Sequence, residues 1–243
     1  MPQRAYGALR AIFSAARLLR RAGREAGLAA GASSVRQPGA VRVRRDHLLE
    51  VTPELIEHLT GTRRIYEGRI VSLREDTATL ADGRTVLREV VEHAEVAAIV
   101  PLDADGNVIL VRQYRLPARE ALLEIPAGGA DDSEGTEDAA QRELREETGY
   151  HAGRLERLCG FFVSPGYCTE FIHIFLATDL VEDPLDGDPD EVIALERVPL
   201  PEAARLVETG EVKDGKSIVG LLLAAKRTGD MFPSGGADTI VNP

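Results

Sequence analysis

The chain has 243 residues, 44% of them hydrophobic and 28% charged, enough apolar content to bury one sizeable core. Arg, Asp or Glu interrupts every hydrophobic run before it reaches the roughly 20 residues of a membrane-crossing helix, so a soluble chain without a transmembrane segment is expected. The formal net charge of −11 argues against a nucleic-acid grip, which needs clustered positive charge, yet leaves room for a nucleotide held through a divalent cation.

The charge is unevenly spread. Residues 1–46 carry ten Arg against Glu25 and Asp46, a balance of +8, which leaves −19 on the other 197 residues. Within that basic stretch Leu9, Ile12, Phe13, Ala16 and Leu19 share one helical face, with Arg10, Arg17, Arg20, Arg21 and Arg24 nearby, which predicts a basic amphipathic helix. Such a helix suits a membrane surface, a targeting peptide or a docking element, and equally an extension of little consequence. Residues 29–39, rich in Gly, Ala, Ser and Pro, read as a linker. The arginines break any secretory hydrophobic stretch, so a cytoplasmic location is expected, with Cys159 and Cys168 as reduced, buried thiols.

From residue 64 onward, short β-branched runs alternate with turn dipeptides. Strands are expected over residues 65–73, 77–80 and 85–91, with a turn at Asp82 and Gly83, forming a small antiparallel sheet. A second strand pair is expected over 96–101 and 108–114, followed by a helix over 136–148. Further strands are expected over 156–163, 171–177 and 192–198, then helices over 201–209 and 216–227. Strands interleaved with a few helices, without βαβ repetition, predict a mixed α/β (α+β) sandwich.

The helix over 136–148 carries the chemistry. Glu143, Glu146 and Glu147 stand at i, i+3 and i+4 and so share one face. Between Gly128 and Tyr150 only Arg142 and Arg145 are basic, against eight acids, so the carboxylates repel one another unless a cation sits among them. Mg²⁺, or alternatively Mn²⁺, is the hard, oxygen-seeking ion that this donor type favours. Thr136 is placed to cap the helix, Gly149 to end it in the left-handed conformation, and Glu134 to pair with Arg142. Leu144 should point into the core.

Gly128, five residues, Glu134, seven residues, and then Arg142-Glu143-Leu144-Arg145-Glu146-Glu147-Thr148-Gly149-Tyr150 resembles the signature box of the Nudix hydrolases. Tyr150 stands where an aliphatic residue is more usual. Around the box, Gln113-Tyr114-Arg115, Glu124-Ile125-Pro126-Ala127-Gly128 and Ser164-Pro165-Gly166 resemble the ADP-ribose pyrophosphatase branch, and Glu170 fits the acidic residue that follows its proline marker.

The resemblance implies a Nudix-type α/β/α sandwich with a small N-terminal antiparallel sheet. It divides the chain into an extension and linker over 1–60, a dimerising sheet over 61–93, a catalytic domain over 94–230 and a flexible tail over 231–243. It implies metal held by Glu143, Glu146, Glu147 and the Ala127 carbonyl, and substrate held by Arg115, Glu124, Pro165 and Gly166. For the general base it points to an acidic loop over 182–191, where Glu191 is the leading candidate and Asp188 and Asp190 are rivals, with Glu146 as a second catalytic carboxylate. The reaction implied is hydrolysis of a nucleoside diphosphate sugar, ADP-ribose first, by a homodimer. GDP-mannose or another sugar nucleotide is the alternative substrate, and a module that senses ADP-ribose without cleaving it is the alternative class. The absence of Trp leaves any base to rest on Tyr, Phe or Arg.

Overall fold

A computed structural model describes residues 52–130, 134–189 and 191–229. The basic helix, the linker, the C-terminal tail and Asp190 lie outside the described residues. Within them, strands β1 (His58–Glu67), β2 (Ser72–Thr79) and β3 (Thr85–Glu92) form one antiparallel sheet in the order β1-β2-β3. A four-stranded sheet follows, formed by β4 (Val96–Pro101), β7 (Ala127–Gly129), β8 (Tyr150–Phe162) and β9 (Phe171–Glu182) in the order β7-β4-β9-β8. The third sheet holds β5 (Asn107–Arg115), β6 (Glu120–Glu124) and β10 (Ile193–Pro199) in the order β10-β5-β6. The helices are α1 (Thr136–Thr148), α2 (Leu200–Glu208) and α3 (Gly215–Thr228).

Strand β4 is buried at every position because both of its faces are covered. Ala97 and Ile99 pack with Phe175 and Ala177 of β9 against Ala139, Ala140 and Leu144 of α1. Val96, Ala98 and Val100 face the opposite way, packing with β5, β9, α2 and α3. One sheet with helices on both sides is the expected α/β/α sandwich, and Leu144 is fully buried in its smaller core. No helix among the described residues is long and apolar enough to cross a membrane.

Several local expectations are corrected. The run over 65–73 is not one strand: a turn at residues 68–71 divides it, closed by Gly68 N–H donating to the Val71 carbonyl at 3.1 Å. A Cβ on Gly68 would lie 2.7 Å from the Tyr66 ring, so glycine is what lets that ring fold over the turn. The small sheet begins at His58, inside the stretch assigned to the extension. Strands β8 and β9 are longer than expected because they pair with each other along nearly their whole length, so Glu182 belongs to β9 and not to the acidic loop. The short strands β6 and β7, on either side of Pro126, carry too few residues to show a period. Cys159 and Cys168 are free but only half-buried.

Candidate active site

Helix α1 starts one residue earlier than a Thr136 cap would place it. Thr136 is its first helical residue, while Gly135 takes the extended N-cap conformation without a side-chain cap. Glu137 and Asp138 in the first turn suit the positive end of the helix dipole. Gly149 ends the helix as expected, at φ 80°, and its N–H donates to the Arg145 carbonyl.

Glu143, Glu146 and Glu147 project from α1 into a cavity of about 490 Å³. The Ala127, Gly128 and Gly129 backbone lines it on one side, Asp188, Glu191 and Ile193 on another, and Ile70 from the β1–β2 turn completes the lining. The acidic loop is held at its start by the end of α1. Arg145 pairs with Asp183 at 3.1 Å, Asp183 N–H donates to the Gly149 carbonyl, and Leu185 N–H donates to the Arg145 carbonyl. Glu191 and Asp188 therefore come to the same cavity as the helix carboxylates, across a long sequence separation.

Arg142 braces the loop against the helix. It donates to Glu134 at 2.9 Å and to the Gly129 carbonyl at 2.8 Å, as the expected Glu134–Arg142 pair requires. It also reaches Glu143 at 2.6 Å and Glu146 at 3.0 Å. Gly128 permits the close approach of Glu143, since a Cβ there would lie 2.0 Å from the carboxylate carbon. Glu147 accepts a long hydrogen bond from Ala127 N–H at 3.4 Å.

The charge of this group is under-compensated. Burial, reinforced by repulsion from Glu143 and Glu191, pushes the Glu147 carboxyl up to about 8. Burial likewise raises Glu143, outweighing its contact with Arg142. Among the described residues no three such side chains close into a preformed ion cage, because Arg142 holds oxygens of both Glu143 and Glu146. The donor set nonetheless fits a hard divalent cation: the Glu143, Glu146 and Glu147 carboxylates line one cavity beside the Ala127–Gly129 backbone, and burial disfavours the ionised forms of Glu143 and Glu147 in the absence of a compensating cation.

A second cavity, of about 570 Å³, shares the Ala127–Gly129 backbone with the first and is lined also by Arg115, Lys216, Asp214, Phe161, Val163 and Glu170. Arg115 pairs with Glu124 through two hydrogen bonds of 2.8 Å. Glu124 is only 2% exposed and lies behind this wall, paired with Arg115, and does not line the cavity itself.

Pro165 and Gly166 lie elsewhere. Both are exposed on a loop docked on β3, where Val91 N–H donates to the Tyr167 carbonyl at 2.7 Å and Thr169 N–H to the Val91 carbonyl at 3.0 Å. In this chain they line a cleft with Leu59, Asp76 and Arg88 of the small sheet, apart from the carboxylates. Lys216 was not anticipated. Its only sequence signal is a lysine in the first turn of a helix, where the dipole disfavours a cation.

Residues 92–219, just over half of the chain, match the NUDIX domain. The chain belongs to the Nudix family. This Nudix hydrolase is 36% identical over 165 residues to the ADP-ribose pyrophosphatase of Bacillus subtilis (strain 168), covering 67% of this chain and 89% of that one. It is 33% identical over 147 residues to the GDP-mannose pyrophosphatase of Yersinia enterocolitica, covering 57% and 77%. The crystal structure of an ADP compounds hydrolase superposes with a TM-score of 0.65 at 26% identity, covering 72% of this chain and 96% of that one.

Proposed function

We propose that this Nudix hydrolase cleaves the pyrophosphate of a nucleoside diphosphate sugar, with ADP-ribose, giving AMP and ribose 5-phosphate, as its leading substrate. The observation that carries the reading is the convergence of the Glu143, Glu146, Glu147 and Glu191 carboxylates on one cavity, which a polyanionic substrate can enter only together with a cation. The relative named as an ADP-ribose pyrophosphatase supports the choice of sugar nucleotide. The relative named as a GDP-mannose pyrophosphatase keeps that substrate as the second reading. Intact carboxylates at all three helix positions argue against a module that only senses ADP-ribose.

In this reading Glu143, Glu147 and the Ala127 carbonyl, with Glu146, would hold Mg²⁺, and Mn²⁺ as a substitute. Such an ion supplies charge neutralisation and Lewis acidity when bound. The protein does the rest. Arg142 fixes the rotamers of Glu143 and Glu146, and Gly128 leaves the space that Glu143 occupies. Glu191 takes the proton of the attacking water as the new P–O bond forms and the bridging P–O bond breaks. Arg115 holds the part of the substrate beyond the pyrophosphate, in the adjoining cavity.

Homodimer formation through the small sheet and a cytoplasmic location belong to the same proposal. Leu59, Ile65, Tyr66 and Leu87 of that sheet are 62%, 47%, 59% and 58% exposed, apolar surface that a second copy would cover. Sedimentation of the purified chain tests the dimer. The function is tested by incubating the enzyme with ADP-ribose, GDP-mannose and other sugar nucleotides in Mg²⁺ and separating the products. Release of AMP from ADP-ribose, abolished by EDTA and restored by Mg²⁺, is expected; turnover unaffected by EDTA would sink the assignment.

A further inference from the structure

Helix α3 opens with Asp214 at its N-cap, accepting from Ser217 N–H at 3.0 Å and from the Ser217 hydroxyl. That hydroxyl in turn accepts from Ile125 N–H at 2.8 Å, which bolts the start of α3 to the chain two residues before Ala127. Lys216 sits in the first turn, where the helix dipole opposes a cation, and its side chain is only 10% exposed. Two acceptors offset that placement: the Lys216 ammonium donates to Glu124 Oε2 and, at 3.0 Å, to Asp214 Oδ2. Glu124 Oε2 thus takes donors from both Lys216 and Arg115, while its Oε1 takes Arg115 Nε.

We propose that Lys216 is a positioning residue for substrate binding: by clamping the Glu124 carboxylate it fixes the plane of the Arg115 guanidinium. Arg115 spends Nε and one Nη on Glu124, so the edge left to the open cavity is the remaining fork of Nη donors. That edge suits a substrate group offering paired oxygen acceptors. With Lys216 absent, Glu124 would keep Arg115 as its sole cationic partner, its carboxylate would be free to rotate, and the Arg115 Nε–H bond to it would open.

The proposal rests on the reading that this cavity takes part of the substrate, so its test has two arms. In the kinetic arm, Lys216→Met should raise KM for ADP-ribose on the order of tenfold, the scale of one charged hydrogen bond, with kcat within about twofold. Lys216→Arg should recover most of the loss, and Lys216→Met should add nothing in an Arg115→Ala background, because the two act as one unit. Lys216→Gln replaces the Met variant if the latter does not fold.

In the second arm, which needs no substrate, the Arg115 Nε–H signal is followed by NMR, assigned by its disappearance in Arg115→Lys. It should be protected from solvent exchange in the parent and lose that protection in Lys216→Met. Unchanged protection, an unchanged KM, a fall in kcat at constant KM, or an undiminished effect in the Arg115→Ala background would overturn the proposal. A parent enzyme that hydrolyses no sugar nucleotide would instead refute the proposed function, and the NMR arm would still decide whether Lys216 positions Arg115.

Discussion

Replacing Gly128 by alanine should separate activity from stability in this enzyme. The added Cβ would stand 2.0 Å from the Glu143 carboxylate carbon, against the 3.4 Å at which ordinary contact begins, so the carboxylate must retreat by about 1.4 Å. Glu143 yields at the far end of a flexible side chain, and the Gly128 backbone lies outside the left-handed region that only glycine favours. Stability should therefore change by no more than about 1 kcal/mol. Displacing by about an ångström an oxygen that positions the reacting groups costs about 10²-fold in rate. The expected result is a kcat lowered by about 10²-fold with a thermal transition close to the parent's, measured on Mg²⁺-saturated enzyme with ADP-ribose. A folded Gly128→Ala enzyme with kcat within about threefold of the parent would refute the assignment of Glu143 to the metal-holding group.

Glu191→Gln should lower kcat by about 10²-fold or more with KM little altered, the scale of losing a positioned base. Near-normal kcat in that variant, with collapse in Asp188→Asn or Asp190→Asn, would move the role to that neighbour. Leu144→Ala, emptying a fully buried site beneath α1, should cost about 2–5 kcal/mol in urea unfolding, and a loss under about 1 kcal/mol would contradict the packing described. Burial pushes the Glu124 carboxyl up, but Arg115 and Lys216 together outweigh it and hold it below its ordinary value. Its stabilising contribution is therefore complete above the unfolded value of about 4.3 and fades as pH falls through the lower folded value. The stability gap between parent and Glu124→Gln should narrow below about pH 4, and a gap constant from neutral pH into that range would contradict the ion network.

What the sequence determined by itself is the local part of this protein. Helix α1 was legible to the residue because its three glutamates, its terminal glycine and its buried Leu144 all follow from spacing along one helix. The central strand β4 was legible as a strand, but its true partners were not: β4 pairs with β7 and β9 instead of the next strand, while β5 joins another sheet and only a bridge between Leu102 and Val108 links the two. That Arg115 and Glu124 hold substrate was implied by resemblance, but that Glu124 pairs with Arg115 behind the wall and does not line the cavity was decided by the pairing of β5 with β6 and the docking of α3. Lys216 meets Glu124 across a separation of 92 residues, which no period can encode. Pro165 and Gly166 are likewise placed by a bridge between Val91 and Cys168, far from the carboxylates they accompany in sequence. Such contacts form only when separate elements pack, since their partners share no local geometry. The turn at residues 68–71 is a smaller case: Gly68 is needed because the Tyr66 ring folds back on it, a contact that β-propensity along the run does not reveal.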